Sequence, residues 1–285
     1  MRPALTKTKW LPWALSAPSL ITIAGLVLVP LGLLTILSFQ KYSATELWTA
    51  QWTLEHYSKI ATDSHYLSVL MQTIRIGLIT TLCCVVLGYP VAYQLAHSRG
   101  TLRGLCLFLL LCPLLVSTVI RTFGWVVLLG NRGIINQLLE KWGLPAFKLL
   151  GTEAAVVLGM THFLLPFLVL PLMASIERVP KDLEAAAQNL GSNRIGAFIR
   201  VILPLSVPGL VVGSMLVYAM TISAVITPVL MGGRKVHMLG PQIYEHVLVT
   251  YNWPLAASLS MVIILITIVV FYFSNRMSDH SQHKT

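Results

Sequence analysis

Six long apolar stretches alternate with shorter polar intervals along the chain. They fall at roughly 18–39, 66–96, 104–129, 153–175, 204–227 and 254–273. A helix needs about 20 mostly apolar residues to cross the hydrocarbon core of a bilayer, and every stretch is that long. The pattern predicts an all-α integral membrane protein with six transmembrane helices. The second stretch exceeds one crossing and leaves room to tilt or to project beyond the bilayer. The first follows Arg2, Lys7 and Lys9. It is longer than the roughly 7–15 apolar residues of a secretory signal, so it is read as a retained helix. No internal repeat or low-complexity linker divides the chain, and residues 1–285 are read as a single membrane domain.

The polar intervals differ in character. Residues 40–64 hold Tyr42, Trp48, Trp52 and Tyr57, aromatics of the kind that gather where a bilayer meets water. Residues 130–152 contain GNRGIINQLLEKWGLPAF, in which the run from Ile134 to Trp142 is amphipathic and is expected to lie along the outer surface. The last interval turns at Gly232 and Gly233, and a short helix from about Gln242 to Val249 is predicted to follow.

Composition strengthens the membrane reading. The chain is 56% hydrophobic and only 11% charged, whereas soluble domains carry roughly 25% charged residues. The net charge of +10 does not point to nucleic acid, because no basic stripe with interleaved aromatics is present. Lys and Arg collect in cytoplasmic loops instead. With a cytoplasmic N-terminus, eleven fall inside: Arg2, Lys7, Lys9, Arg99, Arg103, Arg178, Lys181, Arg194, Arg200, Arg276 and Lys284. Seven fall outside: Lys41, Lys59, Arg132, Lys141, Lys148, Arg234 and Lys235. The balance favours an N-in/C-in topology. Cys83, Cys84, Cys106 and Cys112 all lie in apolar runs without C-x-x-C spacing. They are read as small packing residues rather than a disulfide framework or a zinc site.

The interval at about 177–203 stands apart. Its 27 positions hold seven of the chain's thirty Asp, Glu, Lys and Arg residues: Glu177, Arg178, Lys181, Asp182, Glu184, Arg194 and Arg200. Pro180 suits the first turn of a helix and Gly191 the position just past its end. Asp182 and Glu184 sit near the positive end of that helix's dipole. A second helical run, Arg194 to Leu203, leads into Pro204 and the fifth stretch. A helix, a glycine bend and a second helix entering the membrane fit a groove on a soluble partner. Ala185, Ala186 and Ala187 allow close approach, and Leu183 and Leu190 supply anchors. An ordinary solvated loop fits the same residues.

EAAAQNLG…VILP resembles the EAA loop of permease subunits in ABC importers. That loop has alanines, then a glycine, then an aliphatic-x-Leu-Pro group. Here Gly191 precedes Val201-x-Leu203-Pro204, with the proline 13 residues beyond the glycine. One feature departs: the family's glutamate belongs at the position of Ala185, and Glu184 stands one place early. LGYPVAYQLA (87–96), PLLVSTVIRTFGWVVLLGNRGIIN (113–136), LPFLVLPLMASIE (165–177), LMGG (230–233) and NWPLAAS (252–258) are similar to spermidine/putrescine-type permeases. The likeness spans most of residues 65–260.

The resemblance implies a type I ABC importer permease-like fold in the bacterial inner membrane. It implies a second permease subunit, expected to make a heterodimer, two copies of an ATP-binding subunit, and a periplasmic solute-binding protein. It also implies that Glu184, Ala185, Ala186, Ala187, Leu190, Gly191, Leu203 and Pro204 form the contact with the ATPase. The implied solute is a polyamine or related small amine; amino acids, opines, phosphonates and iron complexes remain open. ATP and Mg are implied in the partner ATPase, with no cofactor in this chain. The residues agree on one point: there is no G-x-x-x-x-G-K-[ST] loop to cradle ATP phosphates, so the chain is not read as an enzyme. A passive facilitator or an intramembrane enzyme would suit the hydropathy too. The first conflicts with the EAA pattern, and the second lacks a catalytic dyad.

Arg121, Trp125 and Arg75 are the candidate pathway residues. Charge within a membrane is costly and often functional, but an arginine near a span's end also snorkels to the surface. His162 is read as a packing residue, and Pro166 with Pro171 as a kink. The carboxylates Glu46, Glu55, Asp63, Glu140, Glu153 and Glu245 are placed outside as a solvated face. The chain's own residues therefore give no support to cation transport.

Overall fold

Helices long and apolar enough to cross a bilayer dominate the computed structural model, which describes residues 11–282. The side chains of residues 11–15, 181, 184, 185, 188, 194, 275 and 277–282 are outside that description, as are Arg2, Lys7, Lys9 and Lys284 altogether. Helix α1 (Leu11–Ser38) leads into a hairpin of β1 (Gln40–Ser43) and β2 (Leu47–Trp52), then the short α2 (Glu55–Thr62). Helix α3 (Ser64–His97) follows, then α4 (Gly100–Leu115), α5 (Thr118–Leu129), α6 (Ile134–Lys141) and α7 (Glu153–Glu177). Next come α8 (Lys181–Asn189), the single turn α9 (Arg194–Ala197), a π turn at Phe198–Ile202, and α10 (Leu203–Ile222). A second π turn at Pro228–Gly232, α11 (Leu239–Leu248) and α12 (Trp253–Gln282) complete the described chain.

Among the described residues five helices are candidate spans, and α4 with the run that begins at α5, bent by 99°, counts as a sixth when the pair is taken as one broken span. The single straight helix expected at 104–129 is thus two helices. Val116 and Ser117 between them are extended, with ψ of 133° and 136°. A break inside a membrane leaves carbonyls without helical partners. Arg121 meets that need: its Nη1 donates to Pro113 O at 2.8 Å and to Val116 O at 3.4 Å. The helix of the fifth stretch ends at Ile222 instead of 227, because Ser223–Val225 leaves the helical path before the chain coils again at 226 into the second π turn.

Helices α3, α7 and α10 form the centre. Leu164, Leu168, Ile76, Cys84 and Val217 are fully buried there. Helices α7 and α10 come close through Gly209 and Gly213, four residues apart on one face of α10. A Cβ on Gly209 would lie 2.6 Å from Pro171 O, and one on Gly213 would lie 2.9 Å from Leu168 O. Small residues at this spacing let membrane helices touch backbone to backbone.

Helix α1 packs mainly on α12, and its other faces are exposed in this chain. The hairpin ties the two together. Trp48 stacks on Trp253 with ring centroids 5.5 Å apart, Ser258 Oγ donates to Ser38 O at 2.9 Å, and Tyr57 Oη donates to Ser38 Oγ at 2.8 Å. His56, buried in α2, lies 3.1 Å from Gln40 O through Nε2, and burial holds its pKa below the usual histidine value. The amphipathic α6 forms where the sequence places it. Buried Asn136 pins it, donating to Gly130 O and Phe147 O and accepting from Phe147 N. Helix α11 starts three residues before the predicted Gln242, where Leu239 N donates to Thr73 Oγ1 of α3 at 2.9 Å.

Candidate functional site

Two places carry the sequence-predicted site residues. The first is the polar arm between α7 and α10. Leu190 N donates to Ala186 O, and Ser192 N donates to Ala187 O, both at 3.0 Å. Gly191 takes φ +89° between them. This is the ending that a left-handed residue gives a helix, and glycine adopts it without a Cβ penalty. Asn193 Oδ1 then accepts from Gly196 N at 2.7 Å, capping α9. Leu190 is 88% exposed, and Ile195, Ile199 and Leu183 are exposed too. Burying one leucine is worth about 1.5–3 kcal/mol, and none of that is realised at Leu190 within this chain.

The far half of the arm is rooted firmly. Phe198 sits edge-on to Tyr89 and Tyr93 of α3, with centroids 5.1 and 5.6 Å apart. Ile202 is buried with Leu95, Leu172 and Ile176. Tyr89 Oη and Ser206 Oγ are 2.6 Å apart. Arg103 of α4 pairs with Glu177 at the end of α7. Ala186 is exposed and Ala187 half-buried; Leu203, the first residue of α10, is half-buried, and Pro204 is exposed. Glu184 and Ala185 lie on the backbone of α8, and their side chains are outside the described residues.

The second place is a cavity of about 620 Å³ between α3, α5 and α7. Ile79, Cys83, Val157 and Leu158 give it apolar walls; Trp125, Thr161, His162 and Glu153 also line it. Trp125 Nε1 donates to His162 Nδ1 at 3.4 Å. At the rim Glu153 forms an ion pair with Arg75. Gln72 Nε2 donates to Glu153 Oε1 at 2.7 Å, and Gln72 Oε1 accepts from His237 N at 2.9 Å.

Of the three candidate pathway residues only Trp125 lines the cavity; Arg75 reaches its rim through the pair with Glu153, and Arg121 does not line it. The Arg121 guanidinium lies 4.0 Å from the centroid of Phe163 and on the α4 carbonyls. Sequence reasoning missed Glu153, grouped with solvated outer acids. No local motif marks it; Arg75 lies 78 residues away and only the packing of α3 on α7 unites them.

A bundle of helices apolar enough to cross a membrane, with a rooted arm that exposes leucines at one end, has the form of a membrane subunit built to dock on another protein. The chain belongs to the family of binding-protein-dependent transport system inner membrane components, whose model matches residues 84–282. It is a multi-pass inner membrane protein. It is 33% identical over 256 residues to the spermidine/putrescine transport system permease protein PotB of Haemophilus influenzae, covering 88% of this chain and 89% of that one. Against PotB of Escherichia coli the identity is 35% over 230 residues, covering 79% and 83%. Among solved structures, a bacterial alginate ABC transporter in complex with its alginate-bound periplasmic protein matches with a TM-score of 0.72 at 18% identity, covering 94% of each chain. That likeness concerns the fold.

Proposed function

We propose that this chain forms half of the solute pathway of an ATP-driven importer of polyamines. Its relation to two spermidine/putrescine permeases over most of its length supports the solute class. The observation that carries the mechanism is the arm. It presents Leu190 to solvent beyond a glycine bend, while Phe198 and Ile202 fix its base to α3 and α7. Helix α8 docks in a cleft on the ATPase, with Ala186 and Ala187 allowing close approach and Leu190 as anchor. Glu184 and Ala185 lie on the same helix, and Leu203 and Pro204 carry the movement into α10. ATP and Mg are bound by the two ATPase subunits, a second and different permease completes the pathway, and a periplasmic protein delivers the solute. In this reading α8 faces the cytoplasm and the hairpin faces the periplasm.

The test is co-purification of the tagged chain from its host in mild detergent, followed by uptake assays on the recovered complex. Recovery of a P-loop ATPase and a second permease, with ATP-dependent uptake of labelled spermidine or putrescine, is expected. A chain that purifies alone and moves solute without ATP overturns the reading. Uptake of an amino acid or an oxyanion in place of amines overturns the solute class only.

A further inference from the structure

Glu153 is the acid at the rim of the cavity between α3, α5 and α7, and three features there point to one kind of ligand. The walls are apolar and long, with Ile79 and Cys83 on one side and Val157 on the other. Trp125 and the carboxylate of Glu153 are the lining groups that can receive a cation. The volume, about 620 Å³, is that of a small-molecule site. Arg75 and Gln72 already partner the Glu153 carboxylate, so a ligand engages it by replacing one cation with another.

We propose that this cavity binds an alkyl amine in transit, with Glu153 as its cation-binding residue and Arg75 as the group that the amine displaces. The assignment rests on the polyamine reading above. One ammonium takes the place of the Arg75 guanidinium on the carboxylate. The methylene chain lies along Ile79 and Val157, and the Trp125 ring offers its face to positive charge. The exchange is feasible because Arg75 is 58% exposed, and ion pairs that exposed are weak. Gln72 keeps the carboxylate oriented when the arginine leaves, since it donates to Glu153 Oε1 and is itself held by His237 N.

The test uses the full complex with its ATPase, second permease and binding protein in proteoliposomes. Spermidine uptake by Glu153→Gln is expected to fall at least tenfold, with assembly verified by co-purification. Cys83 gives a direct second reading because it lines the cavity. In a Cys106→Ser, Cys112→Ser background, a cationic methanethiosulfonate should label Cys83, followed by the mass of this chain, and spermidine should protect it. The half-protecting spermidine concentration should rise at least tenfold in Glu153→Gln and fall severalfold in Arg75→Gln. Shifts in the same direction for both variants would mean that the pair is only a brace, and would overturn the proposal. So would wild-type uptake by Glu153→Gln, or a Cys83 that is never labelled. A wild-type complex that takes up no amine overturns the polyamine reading, and this assignment with it; amine uptake unaffected by Glu153→Gln overturns the assignment alone.

Discussion

Gly191 acts through its backbone conformation, and Arg121 through the carbonyls that it binds beside its contact with the Phe163 ring. Gly191 has φ +89°, and a Cβ placed there would meet nothing within 4 Å. Its replacement is resisted by conformation alone, at about 1–2 kcal/mol for an L-residue held in left-handed geometry. Gly191→Val should therefore insert normally yet lose ATP-driven uptake, because the arm's tip is re-aimed. Wild-type uptake by a correctly inserted Gly191→Val would sink the coupling role. Arg121 holds carbonyls freed by the α4–α5 break, and an unpaired buried carbonyl costs about 1–3 kcal/mol. Arg121→Met should lower the thermal unfolding midpoint in detergent by several degrees. Arg121→Lys should recover only part, since a lysine offers no planar fork of donors; an unchanged midpoint for Arg121→Met would refute the capping role. Both residues were visible in the sequence, but unequally. The glycine's turn was legible from its place after a helix-forming run. The partners of Arg121 were not, because Pro113 lies three residues before the break and Val116-Ser117 carries no breaker of its own.

Among the elements, the close contact of α7 and α10 is the least tolerant of change. Gly209 leaves no room for a larger side chain, with Pro171 O 2.6 Å and Ser175 Cβ 2.4 Å from a built Cβ. Backbone cannot yield as a flexible side chain does, and overpacking costs typically 1–3 kcal/mol or more. Gly209→Leu should separate the two helices and sharply reduce the yield of folded, monodisperse protein in size-exclusion chromatography. A normal yield and elution position would refute the close-contact reading. The long spans were legible because bilayer thickness imposes a length that composition alone reveals. Helix α6 was legible from its amphipathic period. The hairpin was not: LWTAQW reads as an aromatic interfacial segment, and its turn leaves through Leu47 at φ +68°, which no glycine or asparagine announces. The cavity was not legible either, since its rim joins Arg75 to Glu153 across 78 positions.

For the whole molecule, the two sites follow one another along the same pair of helices and adjoin on α3, where Leu87 lines the cavity and Tyr89 meets the arm. Cys83 and Leu87 of α3, and Val157 and Thr161 of α7, wall the cavity. Tyr89 and Leu95 of α3, and Leu172 and Ile176 of α7, grip the base of the arm. Helix α12 and its companion α1 take part in neither. Paired spin labels on the complex should show this division. Closure of the ATPases on ATP should change the separation between exposed positions 190 and 158, while that between exposed positions 26 and 265 on α1 and α12 stays constant. Equal changes in both pairs would refute it. In mechanical terms the arm is a crank keyed to two shafts. The π turn at Phe198–Ile202 is its keyway, a widened coil whose aromatic and aliphatic teeth engage both shafts at once. Torque applied at Leu190 then reaches the solute chamber along α3 and α7 together, while α1 and α12 stand still as the housing.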